Sequence, residues 1–198
     1  MRFWKKILCA VLSLLLCATA AGATDTKTFD FSALESMEGY EKDAFDKTES
    51  CLAAVYGRTL PWGITVQGDT VDHHLIAVAL SVIRSDAPCE EAQFLIGETV
   101  YAFDLSSQVE MGLENTGIIL TESSLEFFEA LAEAEEVSIR VTSDGDEYDD
   151  TYSKENLQPV QELLKITLSQ DPLSCFNAEG LEMVALVENL HFQEMEIR

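Results

Sequence analysis

The sequence predicts an α+β fold, a mainly antiparallel sheet or β-sandwich built from hairpins, with two or three short amphipathic helices. Three observations lead there. Short runs between Trp62 and Asp104, and again between Val137 and Tyr152, alternate apolar with polar residues, the period of a half-buried strand. Gly68-Asp69, Gly97-Glu98 and Asp144-Gly145 interrupt those runs as two-residue turns. Two further stretches space their apolar residues for helix: Leu125, Phe128, Leu131 and Ala132, then Val160, Leu163, Leu164 and Leu168.

Taken in order, Ser32–Met37 reads as a short helix and Thr48–Tyr56 as an extended or helical piece. WGITVQ and TVDHHLIAVALSVI form a hairpin around Gly68-Asp69; the doubly apolar run Leu75–Ile83 predicts one end buried on both faces, and its valine and isoleucine content favours strand over a buried helix. QFLI and TVYAFDL repeat the plan, and a two-residue loop sets Leu95 opposite Val100 and Phe94 opposite Tyr101. QVEMGL and GIILT suggest a further pair. Ser123 and Glu126 fit a capping box opening a helix that runs to about Ala134. The second helix starts near Ser153 or at Pro159 and stops at Asp171-Pro172. After Gly180, LEMVALVE fits helix or strand, and LHFQEMEI is more strand-like.

Residues 1–23 have the plan of a secretory signal peptide: Arg2, Lys5 and Lys6, an apolar run Ile7–Cys17, then small residues allowing cleavage after Ala23 or Ala20. Cys9 and Cys17 follow large apolar residues and fit a lipoprotein signal badly. Residues 24–198 are then expected to form a single secreted α+β domain, extracytoplasmic and off the membrane once the leader is cut. That portion carries nine basic and 36 acidic residues, a formal charge of −27. Such a surface repels phosphate backbones and anionic lipid, which argues against nucleic acid and peripheral membrane as partners. Its plainest role is solubility.

Cys51, Cys89 and Cys175 remain after cleavage, and an oxidising compartment permits one bridge with one thiol over. Cys51–Cys89 is the favoured pairing, clipping the amino-terminal segment to the first sheet.

The acid-rich VTSDGDEYDD raises a calcium loop, with Asp144, Asp146 and Asp149 as candidate ligands. Tyr148 and Asp149 fall where an EF-hand needs a fifth-position oxygen and a glycine, and the flanks alternate like strands. A hairpin turning on Asp144-Gly145 accounts for more residues. It pairs Ser143 with Asp146, Val141 with Tyr148, Arg140 with Asp149 and Val137 with Tyr152, leaving one misfit, Ile139 against Asp150.

No other motif carries chemistry. His73 and His74 diverge on either a strand or a helix, and no serine elbow, zinc-protease helix or phosphate loop occurs. No cofactor is expected. Trp62, Tyr101, Phe103, Tyr148 and Tyr152 could form a carbohydrate platform, although strand alternation makes them core. The expected function is a secreted acidic binding domain for an extracellular protein or glycan, acting through loops at one sheet end or an open edge strand. The alternatives are an extracellular hydrolase using a carboxylate pair and a calcium-stabilised structural module.

Overall fold

The computed structural model describes residues 26–82, 89–106, 108 and 117–185. Two antiparallel sheets carry the fold. The first has five strands in the order β1-β2-β3-β4-β7: β1 (Tyr40–Asp43), β2 (Thr48–Val55), β3 (Trp62–Asp69), β4 (Leu75–Val82) and β7 (Gly117–Ile119). The second has four, in the order β6-β5-β8-β9: β6 (Thr99–Asp104), β5 (Glu91–Ile96), β8 (Glu136–Ser143) and β9 (Asp146–Ser153). Helix α1 (Leu125–Glu133) precedes β8, α2 (Lys154–Leu168) follows β9, and a third helical segment covers 178–185. Among the described residues no helix is long and apolar enough to cross a membrane.

Alternation explains which faces meet. Cys51, Ala53 and Val55 of β2 stand beside Val66, Ile64 and Trp62 of β3, and these beside Val78, Leu80 and Val82 of β4. All are buried. The second sheet turns Phe94, Val137, Ile139, Val141 and Tyr152 inward, and α2 adds Leu157, Val160, Leu163 and Leu164 to the same cluster. The sheets join through aromatic rings. Trp62 lies edge-on to Phe94 at 6.4 Å and to Tyr152 at 5.8 Å, and Phe127 of α1 contacts Phe94, Tyr101, Phe103 and Phe128.

The two shortest hairpins match the sequence reading residue for residue. Phe94 pairs with Tyr101 and Leu95 with Val100, and Gly97 alone in that loop has positive φ, as a type II′ turn requires. Val137, Arg140, Val141 and Ser143 take the expected partners on β9, with Asp144 and Gly145 both at positive φ. Strand β4 is a strand, as its composition predicts, and is buried on both faces along nearly its whole length and not at one end only.

Several expectations change. Gly68 and Asp69 are not a turn; they close β3, and the chain reverses through 70–74. Gly68 is glycine because a Cβ there would run into the ring of Phe31, and the register slips between Gln67 and Gly68. The helix expected at Ser32–Met37 shrinks to one 3-10 turn, Phe31–Ala33, once Phe31 is drawn into that socket. No Ser123 capping box forms. Ser124 is the cap residue, and its hydroxyl turns back to donate to the Ile119 carbonyl at 2.8 Å. α2 starts from Ser153, whose N–H and hydroxyl both reach Asn156 Oδ1, so Pro159 sits inside the helix. GIILT supplies β7, which pairs with β4. QVEMGL beyond Gln108, the leader and LHFQEMEI lie outside the described residues.

The expected Cys51–Cys89 bridge is not seen, and Cys51, Cys89 and Cys175 are all buried. Cys51 faces the core from mid-β2, Cys89 precedes β5 of the other sheet, and Cys175 lies against the carbonyls of Thr28, Gln170 and Asp171. Burial raises the Cys51 thiol to about 11.

Phe127→Ala removes the ring shared by four aromatic neighbours and is expected to cost about 3–5 kcal/mol in chemical denaturation. A loss below about 1 kcal/mol would mean the aromatic cluster does not carry the core.

Candidate functional site

Antiparallel order places the β1–β2 and β3–β4 connections at the same end of the five-stranded sheet. They share a local pattern, Asp43-Ala44-Phe45-Asp46 in one and Asp69-Thr70-Val71-Asp72 in the other. In each, the leading aspartate accepts backbone N–H groups from the third and fourth residues. Asp43 Oδ1 takes Phe45 at 2.8 Å and Asp46 at 3.1 Å. Asp69 Oδ1 takes Val71 at 3.0 Å and Asp72 at 2.6 Å, while its Oδ2 takes His74 at 3.2 Å. These are the local side-chain-to-backbone bonds that hold a turn in one shape. Thr70 N–H donates to the Lys47 carbonyl at 2.9 Å and ties the tips together.

Beneath them lies a buried carboxylate. Glu49 of β2 has a side chain 0% exposed. It stands between Lys42 of β1 and Gly68 of β3 in register. Tyr40 donates its hydroxyl to Oε2 at 2.7 Å, Lys42 Nζ lies 3.4 Å from the same oxygen, and His73 Nδ1 is 3.0 Å from Oε1. A buried charge persists only when such partners replace water. His73 reaches Glu49 by taking a left-handed backbone, φ 56, uncommon for a residue with a side chain. Burial, and then the Glu49 carboxylate, holds the Tyr40 hydroxyl above its ordinary range. Lys42 also bonds Glu35 at 3.1 Å and lies over the Tyr40 ring at 5.6 Å. Both Glu49 oxygens are therefore occupied, and the cluster acts as a pedestal. On that pedestal Phe45 is 97% exposed and Val71 63%.

A second open region lies at the β5–β6 turn. A cleft of about 410 Å³ is floored by Leu95, Ile96, Ala130 and Ala134 and rimmed by Glu133, Glu135 and Glu136. Glu135 pairs with Lys154 at 2.5 Å and Glu133 with Lys165 at 3.3 Å.

The three calcium candidates do not converge. Asp144 is in the turn, while Asp146 and Asp149 fall on opposite faces of β9 by strand alternation. Arg140 clamps Asp149 with two bonds of 2.8 Å and holds its carboxyl below the usual range. Among the described residues no group of His, Cys, Asp or Glu is placed to hold a metal. The supposed misfit, Asp150 beneath Ile139, has a purpose. Its carboxylate accepts N–H bonds from Thr59 at 3.0 Å and Leu60 at 3.4 Å, fixing the β2–β3 connection. Of the five platform aromatics, Trp62 and Tyr152 are buried, while Tyr101, Phe103 and Tyr148 pack against the core half-buried.

Sequence reasoning missed Glu49, Asp43 and Asp69. The repeated Asp-x-apolar-Asp pattern was the available signal for the two tips. Nothing local marks Glu49, whose partners come from β1 and the β3–β4 loop. Compared with protein-family models, curated proteins and solved structures, the chain matches none.

Burial works against ionisation of Asp150, but N–H groups from Thr59, Thr151, Leu60 and Arg58 prevail and depress its pKa. The stabilisation is therefore fully present above the ordinary value of 3.8 and is lost as pH falls through the lower folded value. Asp150→Ala is expected to cost about 1–3 kcal/mol at pH 7. In denaturant titrations across pH, its deficit against the parent should shrink below pH 3.8. A deficit that stays constant down to pH 2 would rule out the charge as the cause.

Proposed function

We propose that the chain is an exported, non-enzymatic binding domain that docks an extracellular protein through the paired tips of its five-stranded sheet. The observation that carries this reading is Phe45, a large ring held almost wholly in solvent on a turn fixed by Asp43 and tied to the neighbouring tip by the Thr70–Lys47 bond. A free aromatic ring is costly to leave in water, and rigid aromatic side chains are what interfaces use as anchors. Pre-set turns lower the ordering cost of binding. Export is supported by the basic, apolar and small-residue sequence of residues 1–23. Hydrolysis by a carboxylate pair has less support, because the most enclosed carboxylate, Glu49, is committed to Tyr40, Lys42 and His73. Asp43, Asp46, Asp69 and Asp72 surround the apolar tips, so the partner presents an apolar socket with a cationic rim.

A photo-crosslinking benzoylphenylalanine placed at position 45 in the producing cells is expected to capture one defined protein, with no such adduct from position 155 on α2. The purified partner should bind the parent chain and lose about 30-fold or more in affinity to Phe45→Ser. That variant should keep its folding stability within about 0.5 kcal/mol, the side chain being exposed. Equal adducts from both positions, or unchanged affinity in Phe45→Ser, would contradict the proposal.

A further inference from the structure

The two sheets leave four edge strands, and three of them are blunted. β1 has four residues and carries Lys42, while β7 has three. β9 bears Asp146, Glu147, Asp149 and Asp150, and Asp150 grips the 59–60 backbone. Short length, charge and covering contacts are the usual defences of an edge. Among the described residues β6 is the least defended of the four. Its six residues, Thr-Val-Tyr-Ala-Phe-Asp, include one charge and neither lysine nor proline, and among the described residues it pairs only with β5.

The hydrogen-bond parity of the hairpin shows which groups are free to pair. The two-residue loop makes Ile96 and Thr99 the closing pair. At the far end Leu105 N–H donates to the Glu90 carbonyl at 2.7 Å. Between those two bonded pairs, Tyr101 and Phe103 direct their peptide groups to β5, while Val100 and Ala102 direct theirs outward. Val100 is 57% exposed, and its cross-strand neighbour Leu95 is 42% exposed, extending the apolar strip toward the glutamate-rimmed cleft.

Charge selects the occupant. From residue 85 to residue 139 the chain has thirteen acidic residues and no lysine, arginine or histidine. β5, β6, β7 and α1 all lie in that stretch. A second copy of the same edge is repelled by it, which keeps an otherwise open strand from pairing with itself. A cationic chain is attracted. Glu98 in the turn and Asp104 at the strand end place carboxylates at both ends of the apolar row Val100–Ala102.

We propose that β6 receives an extended segment of another protein as a fifth strand, a segment with small apolar residues at its centre and basic residues at both ends. Main-chain bonds at Val100 and Ala102 supply the pairing, and the flanking carboxylates select the sequence. This surface is separate from the Phe45 end, and either can stand without the other.

The probe is an acetylated, amidated hexapeptide with lysine at each end and alternating valine and threonine between, titrated into the isotopically labelled chain. Saturable binding is expected, weakening as salt rises, with the largest amide shifts at Val100, Ala102 and Asp104. The analogue with glutamate in place of lysine should bind at least ten-fold more weakly. Val100→Pro removes an outward N–H at an edge that tolerates proline, and should weaken the lysine peptide at least ten-fold. The shift map on the unmodified chain decides the matter even if that variant folds poorly. No saturation by millimolar peptide, shifts centred away from β6, equal binding of the glutamate analogue, or edge-to-edge dimers in sedimentation would each overturn the proposal.

Discussion

Trp62 is the residue on which the arrangement turns. It sits in β3, the central strand of the five-stranded sheet, and meets the other sheet twice, at Phe94 of β5 and Tyr152 of β9. Edge-to-face geometry at these distances contributes beyond simple burial. Tyr152 returns the contact by donating its hydroxyl to the Leu60 carbonyl, just before β3. Burial raises that phenol's pKa, so it stays a neutral donor. One indole thus sets how the two sheets face each other. It also sets which surfaces are left over.

What is left over are the two surfaces proposed for binding. The inner faces are consumed by core, so display falls to the ends and edges of the sheets. At one end two aspartate-capped tips hold Phe45 and Val71 in water, tied to each other by the Thr70–Lys47 bond, with the Glu49 cluster beneath. On the other sheet β6 keeps its outward peptide groups, in a stretch of chain without a basic residue. Both surfaces combine apolar groups with flanking acid. That shared chemistry is why positive charge is proposed for both partners.

The hairpins at Gly97-Glu98 and Asp144-Gly145 were legible because a two-residue loop writes its backbone demand directly into the residues that form it. The register followed, down to Arg140 against Asp149. Gly68 misled for a related reason. A glycine followed by an acid looks like a turn, whereas its real cause is the ring of Phe31, distant in sequence. Asp150 looked misplaced because its partners, Thr59 and Leu60, lie far away along the chain. Glu49 gave no sign of itself, since a glutamate in a strand reads as solvent-facing until three elements close around it. An oxidising compartment permits a bridge without saying where the sulfurs lie, and the fold buries all three. Local demands can be read from sequence; demands made by remote neighbours cannot.

Native-state amide exchange tests the central claim most directly. If the Trp62 contacts weld the sheets, the slowest amides of β3 and of β5 open with one common free energy, while Val100 and Ala102 exchange far faster than Tyr101 and Phe103. Distinct opening free energies in the two sheets would contradict the weld. Protection of Val100 and Ala102 equal to that of Tyr101 and Phe103 would contradict the open edge.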